Sequence, residues 1–341
     1  MIYDYLIIGT GSGGAHAAYF LHRGGARVAV VEQSAIGAGG SGAAGAFISP
    51  RVGRGGELQR YTNEAFRFAI DFYSSSPYFF QTGILRLPKE GQSFAGMEEF
   101  LDVPFSKCED GFLFPTAGIL KAKPHLEHLL EGVPLHYFAA RPIAKEGYFQ
   151  VGDLRAHKII LATGAWDELI DEPYIRIGKV GGVRFDVRTS LALPYSMHKK
   201  VSVSANIEGI VTIGATHNRE GAAPQEPRIL FEEAKKMVGE FEYEIAQMFC
   251  GVRSSVSDHL PIVGELIADA RVPKICSFKT LDTKELPKKG IIILNGFGGR
   301  GFVFGPYVGH LLAKHLLDGE PLPPQLDVDR YFIRYRKKGR V

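Results

Sequence analysis

Cysteine is scarce in this sequence. Only Cys108, Cys250 and Cys276 occur among 341 residues. They are far apart and form no C-x-x-C pair, which leaves neither a disulfide framework nor a zinc site to read. A reducing compartment suits such usage. No apolar run approaches the roughly 18 residues of a membrane helix. The N-terminus carries Asp4 ahead of a short apolar run, without the basic region and cleavage site of a secretory signal, so a soluble cytoplasmic protein is expected. Charge of one sign is lacking too: 40 Lys and Arg stand against 37 Asp and Glu, a net +3. That balance permits nucleic acid as a partner without requiring it. With 45% hydrophobic and 23% charged residues, disordered and collagen-like chains are excluded. The one excess is glycine, 41 residues, nearly twice the usual ~7% of a chain.

The glycines cluster. Tyr3 to Ile8 is a short apolar run of strand character, followed by GTGSGG, in which Gly9, Gly11 and Gly14 fit G-x-G-x-x-G. A helical pattern follows, with Ala17, Phe20 and Leu21 near one face, and Gly24-Gly25 ends it. Arg27 to Val31 is a second buried strand closing on Glu32. Strand, glycine turn, helix, strand and acid within about thirty residues is the context a dinucleotide fingerprint requires. Gly9 allows the tight turn, Gly11 lets the backbone approach a pyrophosphate, and Gly14 lets helix and strand pack closely. The helix N-terminus, opened by Ser12, offers N–H groups and a positive dipole to phosphate. Glu32, followed by Gln33, can accept hydrogen bonds from ribose hydroxyls, which disfavours a 2′-phosphate.

Three further segments belong with this turn. Gln33 to Pro50 is dominated by glycine and alanine, as suits a loop lying along an extended ligand; Gly39, Gly40, Ser41 and Gly45 would wrap the far side of the pyrophosphate, with Ser41 donating a hydroxyl. An apolar strand from His157 runs into Ala162, Thr163, Gly164, Ala165 and Trp166, small enough for close cofactor contact, with Trp166 packing toward the adenine end. The Ile291 strand enters Gly296, Gly298, Gly299, Arg300 and Gly301, and a second helix is expected from near Pro306, with Val308, Leu311, Leu312 and Leu316 on its apolar face.

These stretches, in this order over nearly the whole chain, resemble the D-amino-acid-oxidase family of FAD enzymes, which includes glycine oxidase, sarcosine oxidase and amino-acid dehydrogenases. The resemblance implies FAD and an α/β fold, with a Rossmann-like FAD-binding domain of the glutathione-reductase type and a second, antiparallel-sheet substrate domain. It implies oxidation of an amine carbon next to a carboxylate. The C-terminal glycine loop would face the flavin pyrimidine edge, where charge develops on reduction. Gly251 to Glu265 holds Arg253, Asp258, His259, Leu260, Pro261, Val263 and Gly264 as R-x-x-x-x-D-H-L-P-x-V-G. With IGATH (Ile213 to His217) and GEPLP (Gly319 to Pro323), this resembles the oxidase half of bifunctional enzymes of tRNA wobble-uridine modification; glycine oxidases share weaker forms.

The resemblance makes the FAD domain discontinuous, over 1–75, 119–171 and 251–341, with 76–118 and 172–250 as the substrate domain. Within the latter, Val180 to Val187 alternates weakly, and Val201 to Ile213 has a hairpin pattern about a polar-glycine turn. Glu226 to Phe249 is expected to be an amphipathic helix presenting Ile229, Ala234, Met237, Val238 and Phe241 to a core.

Flavin amine oxidation asks the protein mainly to orient its substrate. A glycine-like substrate needs a cation for its carboxylate, and the planar arginine fork suits it. Arg253 stands where the resemblance puts a carboxylate-binding arginine, Arg300 sits inside the glycine loop, and Arg51 follows the Phe47-Ile48-Ser49-Pro50 segment; each could equally be structural. Asp258 and His259 are read as a structural turn, and His217 as a pocket or packing residue. No cysteine stands close downstream of Arg253, so FAD is expected to bind non-covalently. In the bifunctional enzymes a methyltransferase domain precedes the oxidase. Because this sequence opens at the fingerprint, the oxidase is expected to act alone or with a separate methyltransferase. Arg334, Arg336, Lys337, Lys338 and Arg340, interleaved with Phe332 and Tyr335, could touch RNA or form a solvated tail; His198, Lys199 and Lys200 could extend a basic rim. The substrate is thus a glycine unit on modified tRNA, or a free small amino acid such as glycine or sarcosine, with oxygen or a quinone as acceptor. A non-catalytic dinucleotide-binding protein is the reading of another class.

Overall fold

In the computed structural model, Tyr3–Ile8 pairs in parallel with Val28–Glu32 on one side and Leu154–Leu161 on the other. Residues 1–220, 225–272 and 282–338 are described; Cys276 and Arg340 lie outside them. Leu135–Tyr137 extends the sheet beyond Val28–Glu32, and Lys288–Asn295 extends it beyond Leu154–Leu161, both in parallel. Ile262–Ile267 adds an antiparallel edge, and the hairpin of Ile143–Lys145 and Tyr148–Val151 pairs with the start of Leu154–Leu161. Leu6, Ile7, Val30, Ile160, Ile292 and Ile293 are fully buried, as continuous apolar strands of a sheet covered on both faces must be.

Six helices are described: α1 (Ser12–Arg23), α2 (Glu57–Tyr73), α3 (Ala122–Leu129), α4 (Arg228–Val238), α5 (Gly301–Asp318) and α6 (Asp329–Lys338). Gly9 takes φ +106°, a turn closed to other residues without strain. A Cβ on Gly14 would lie 2.0 Å from the Gly9 carbonyl oxygen, so only glycine lets α1 lie this near the first strand.

Helix α5 begins at Gly301, five residues before the expected start, and carries Pro306 within it. Proline has no N–H for the carbonyl four residues back. That carbonyl belongs to Phe302, and the buried Tyr73 hydroxyl of α2 donates to it at 2.8 Å. The helix tolerates proline because a distant side chain replaces the missing bond.

The second sheet runs Glu244–Ser255, Gly178–Arg188, Ile210–Gly214, Ser202–Val203, Ser196–His198, Ile84–Arg86, Gly111–Phe114, Ser106–Cys108. It is antiparallel except where Ser196–His198 meets Ile84–Arg86 in parallel. One face packs Phe185, Val187, Val211 and Ile213 on Leu230, Phe231 and Ala234 of α4. The helix expected over Glu226–Phe249 stops at Val238, where Gly239 adopts φ +83°. Glu244 onward is instead a strand paired along all of Gly178–Arg188; an eleven-residue partner outweighs local helical periodicity. The other face carries Gly182, Arg184 and Arg253 and closes on the glycine loop, Gly251 resting against Ala43 and Gly40. No described helix is long and apolar enough to cross a membrane.

Candidate active site

Between the two sheets lies a cleft with about 740 Å³ of empty space, the open solvent at its mouth included. The fingerprint turn and its loop contribute Gly11, Ser12, Gly40 and Ser41, and the strand end at 162–164 contributes Ala162 and Gly164. Arg253 enters from the second sheet, and Gly298, Gly299, Arg300 and Gly301 from the C-terminal loop. Gly9 and Gly14 lie behind this surface, in the packing of α1 on the sheet. Gly296 sits at φ +78° under Val256. Thr163 and Trp166 do not line the cleft: the Thr163 hydroxyl donates to the Trp166 carbonyl, and the half-exposed Trp166 ring stands beside Gly39. Glu32 is held at its strand end, accepting from the Thr10 hydroxyl at 2.7 Å and the Thr10 N–H at 3.1 Å, while Gln33 is exposed. Gly45 packs on Phe47.

The cleft suits a diphosphate dinucleotide. Neither α1 nor α5 is capped by its own N-cap side chain, and both begin at cleft-lining residues, so two positive helix ends face the same space. Ser41 Oγ accepts the Ser12 N–H at 2.9 Å, which orders the loop against the turn. A Cβ on Gly40 would come 2.7 Å from the Val252 carbonyl oxygen. Among the described residues no acidic side chain lines the cleft, so none of them repels phosphate there. Asn295 was not among the expected residues: its Nδ2 donates to the Gly164 carbonyl at 2.9 Å and its Oδ1 accepts the Gly296 N–H at 2.7 Å. It ties two glycine segments together, and its place before the Gly296 loop was its only sequence signal.

The cations are the second feature. Arg253 lays its guanidinium over Gly182, where a Cβ would be 2.6 Å from Nη2, and Nη1 donates to the Thr216 carbonyl at 3.1 Å. Burial lowers its pKa. Arg300 is lowered to about 10 by burial and by the charge of Arg51. Arg86, absent from every sequence motif, is lowered to about 10 by burial and by Arg300 and Arg51. All stay charged at neutral pH. Among the described residues none of Arg51, Arg86, Arg253 and Arg300 has a carboxylate within 4.0 Å. Asp186, on the same sheet face, is taken by Arg184 at 2.8 Å and the Thr212 hydroxyl at 2.7 Å.

The remaining expected residues lie apart. Asp258 accepts from Arg330, Arg334 and Tyr331. Burial disfavours its charge, but these donors prevail and hold its pKa at about 2. His259 is exposed at φ +60° in the same turn, and His217 is exposed. Half of the described basic tail is engaged: α6 pairs Arg334 with Asp258 at 2.8 Å and Arg336 with Asp269 at 2.6 Å, while Lys337 and Lys338 are exposed. Phe332 is fully buried and offers no ring for stacking on a base, whereas Tyr335 is exposed. Lys200 pairs with Glu233 at 3.1 Å and His198 bonds Ser202 Oγ at 2.7 Å, so two residues of the second basic segment are engaged.

Comparison with known proteins accords with this geometry. Over 334 residues the chain is 24% identical to the tRNA 5-methylaminomethyl-2-thiouridine biosynthesis bifunctional protein MnmC of Maricaulis maris, covering 92% of this chain and 52% of that protein. The Aeromonas hydrophila MnmC is 34% identical over 100 residues, 26% of this chain and 15% of that protein. The chain therefore spans about half the length of the first of these relatives. Among solved structures, glycine oxidase from Geobacillus kaustophilus superposes with a TM-score of 0.75 at 18% identity, covering 96% of this chain and 97% of that one. Iminodiacetate oxidase from Chelativorans sp. BNC1 gives 0.71 at 20%, covering 95% and 98%. A model of the DAO family, FAD dependent oxidoreductase, matches residues 4–315. The chain belongs to this family of FAD-dependent oxidoreductases.

Proposed function

We propose that this protein oxidises a glycine unit bonded through its nitrogen to a larger group, the carboxymethylaminomethyl group of a tRNA wobble uridine above all. The observation that carries the reading is the cleft itself: two helix N-termini and unpaired arginines converge on one space without a carboxylate. The likeness to MnmC over 92% of the chain supports the tRNA-borne substrate. We assign the cofactor to residues 1–75, 119–171 and 251–341, and the substrate cover to 76–118 and 172–250.

FAD would lie with its diphosphate against Gly11, Ser12, Gly40 and Ser41 and its ring toward Arg300; when bound it supplies the hydride acceptor. Arg253 and Arg300 would hold the substrate carboxylate and so fix which carbon faces that acceptor. The lining holds no carboxylate, imidazole or thiol. The protein therefore orients, and the C–H bond next to nitrogen leaves with its electron pair from the neutral amine. The nitrogen lone pair forms C=N, water adds to that carbon, and the C–N bond breaks to give glyoxylate and the shortened amine.

A free amino acid is the second reading, favoured by the engaged charges of α6. Anaerobic flavin bleaching decides. Fast reduction by tRNA bearing the modified uridine, with slow reduction by glycine and sarcosine, supports the first reading. The reverse order establishes the second, and no bleaching by any of them refutes both.

A further inference from the structure

Resting on that reading of the cleft as an amine-oxidation site, the number of cations exceeds what one glycine carboxylate needs. A carboxylate is satisfied by one guanidinium held side-on, or by two. Arg253 and Arg300 meet that need. Arg86 and Arg51 remain, and neither is among the residues that line the cleft.

Arg86 closes the Ile84–Arg86 strand, whose parallel register sets it beside His198 on the sheet face that also carries Arg184 and Gly214. Its Nη1 donates to Ser49 Oγ at 3.1 Å, two residues before Arg51. Its Nε is buried with no partner, as is the Nε of Arg184, so the two differ in what meets the rest of the guanidinium. Arg184 shows what a structural guanidinium receives on this same face: Asp186 at 2.8 Å, and the Phe249 ring 3.9 Å from its Cζ. Arg86 receives a single hydroxyl, and the charges that act on it, Arg300 and Arg51, are cations. Burying like charges together without an acid is unfavourable unless a ligand brings the anion.

We propose that the substrate carries a second anionic group, separate from its glycine carboxylate, and that Arg86 with Arg51 receives it. Two sources share this chemistry: a second carboxylate on the amine, or the phosphate of a nucleotide bearing it.

The test compares matched substrates of the FAD-loaded protein by single-turnover anaerobic flavin reduction, reading the half-saturating concentration. One pair is sarcosine and iminodiacetate. The other is 5-carboxymethylaminomethyluridine and its 5′-monophosphate. In one pair the compound with the added anion should saturate at a concentration about 10- to 100-fold lower, the worth of a charge-assisted hydrogen bond. The pair that shows it identifies the source. Arg86→Gln should collapse the ratio toward one, and Arg86→Lys should restore part of it; Arg51→Gln serves should the Arg86 variants not fold. Equal saturation within both pairs overturns the proposal, while reduction by any of the four leaves amine oxidation standing. Failure of all four, and of modified tRNA, removes the underlying reading as well.

Discussion

Replacing Gly14 with alanine probes the closest approach in the cofactor half. The added Cβ would sit 2.0 Å from the Gly9 carbonyl oxygen and 3.2 Å from Ala162 Cβ. Neither neighbour is a flexible tip; one is backbone and the other a methyl just past the end of the central Leu154–Leu161 strand. Helix α1 must therefore move out by more than about 1 Å to reach ordinary contact. Overpacking of this kind costs ~1–3 kcal/mol. At ~2.1 cal/mol/K of unfolding entropy per residue, that lowers Tm by roughly 1–4 °C. The larger effect falls on the cofactor, because α1 carries the dipole end that faces the cleft, and its Ser12 N–H holds the Ser41 loop in place. Losing one charge-assisted contact there weakens FAD by about 10- to 100-fold. Apo-protein calorimetry gives the first quantity and flavin fluorescence quenching the second. A Gly14→Ala protein that keeps parental Tm and parental FAD affinity refutes the close-packing account.

Arg253→Lys should raise the substrate KM or abolish flavin reduction while leaving the bound-FAD spectrum unaltered, since lysine cannot offer the planar fork; unchanged kinetics remove Arg253 from the site. Asp258 has a folded pKa depressed to about 2 from 3.8. Its stabilisation, about 2 kcal/mol, is present above pH 4 and lost as pH falls toward 2. Asp258→Asn should therefore lower Tm at pH 7 and converge with the parent near pH 2, as urea titrations across that range will show. Tyr73→Phe strands the Phe302 carbonyl and should cost ~1–3 kcal/mol; adding Pro306→Ala, which returns an N–H to α5, should recover part of it in denaturant midpoints. Lys337→Ala with Lys338→Ala leaves the α6 ion pairs intact and should weaken a modified tRNA without touching sarcosine, measured as the ratio of their reduction rates.

The parts legible in the sequence were those whose causes are local. The Tyr3–Ile8 strand, the Gly9 turn and α1 follow from apolar runs and glycine spacing within thirty residues. The Val201–Ile213 hairpin is legible for the same reason. The stretch from Glu244 was misread because Ile245, Met248 and Phe249 suit either a helix face or a strand, and the choice is made by pairing with Gly178–Arg188. The start of α5 was misplaced because proline normally marks a first turn, whereas here Tyr73 supplies the bond from 229 residues away. Arg86 was invisible: it lies in no motif, and only the parallel register with Ser196–His198 brings it to the cleft face.

The strand order of the first sheet also sets when the protein can acquire its cofactor. Leu154–Leu161 is central, yet its partners come from the two ends of the chain, Tyr3–Ile8 and Lys288–Asn295. On the ribosome the first pairing waits for synthesis to pass residue 161 and the second for it to pass residue 295. Until then α1 presents its helix end to a half-built cleft, and apolar strand edges stay unpaired. Long-range parallel pairing is slow and leaves such edges prone to aggregation. Flavin capture therefore waits for the Lys288–Asn295 strand, and the supply of FAD in the expressing cell should govern how much of this chain reaches a soluble state.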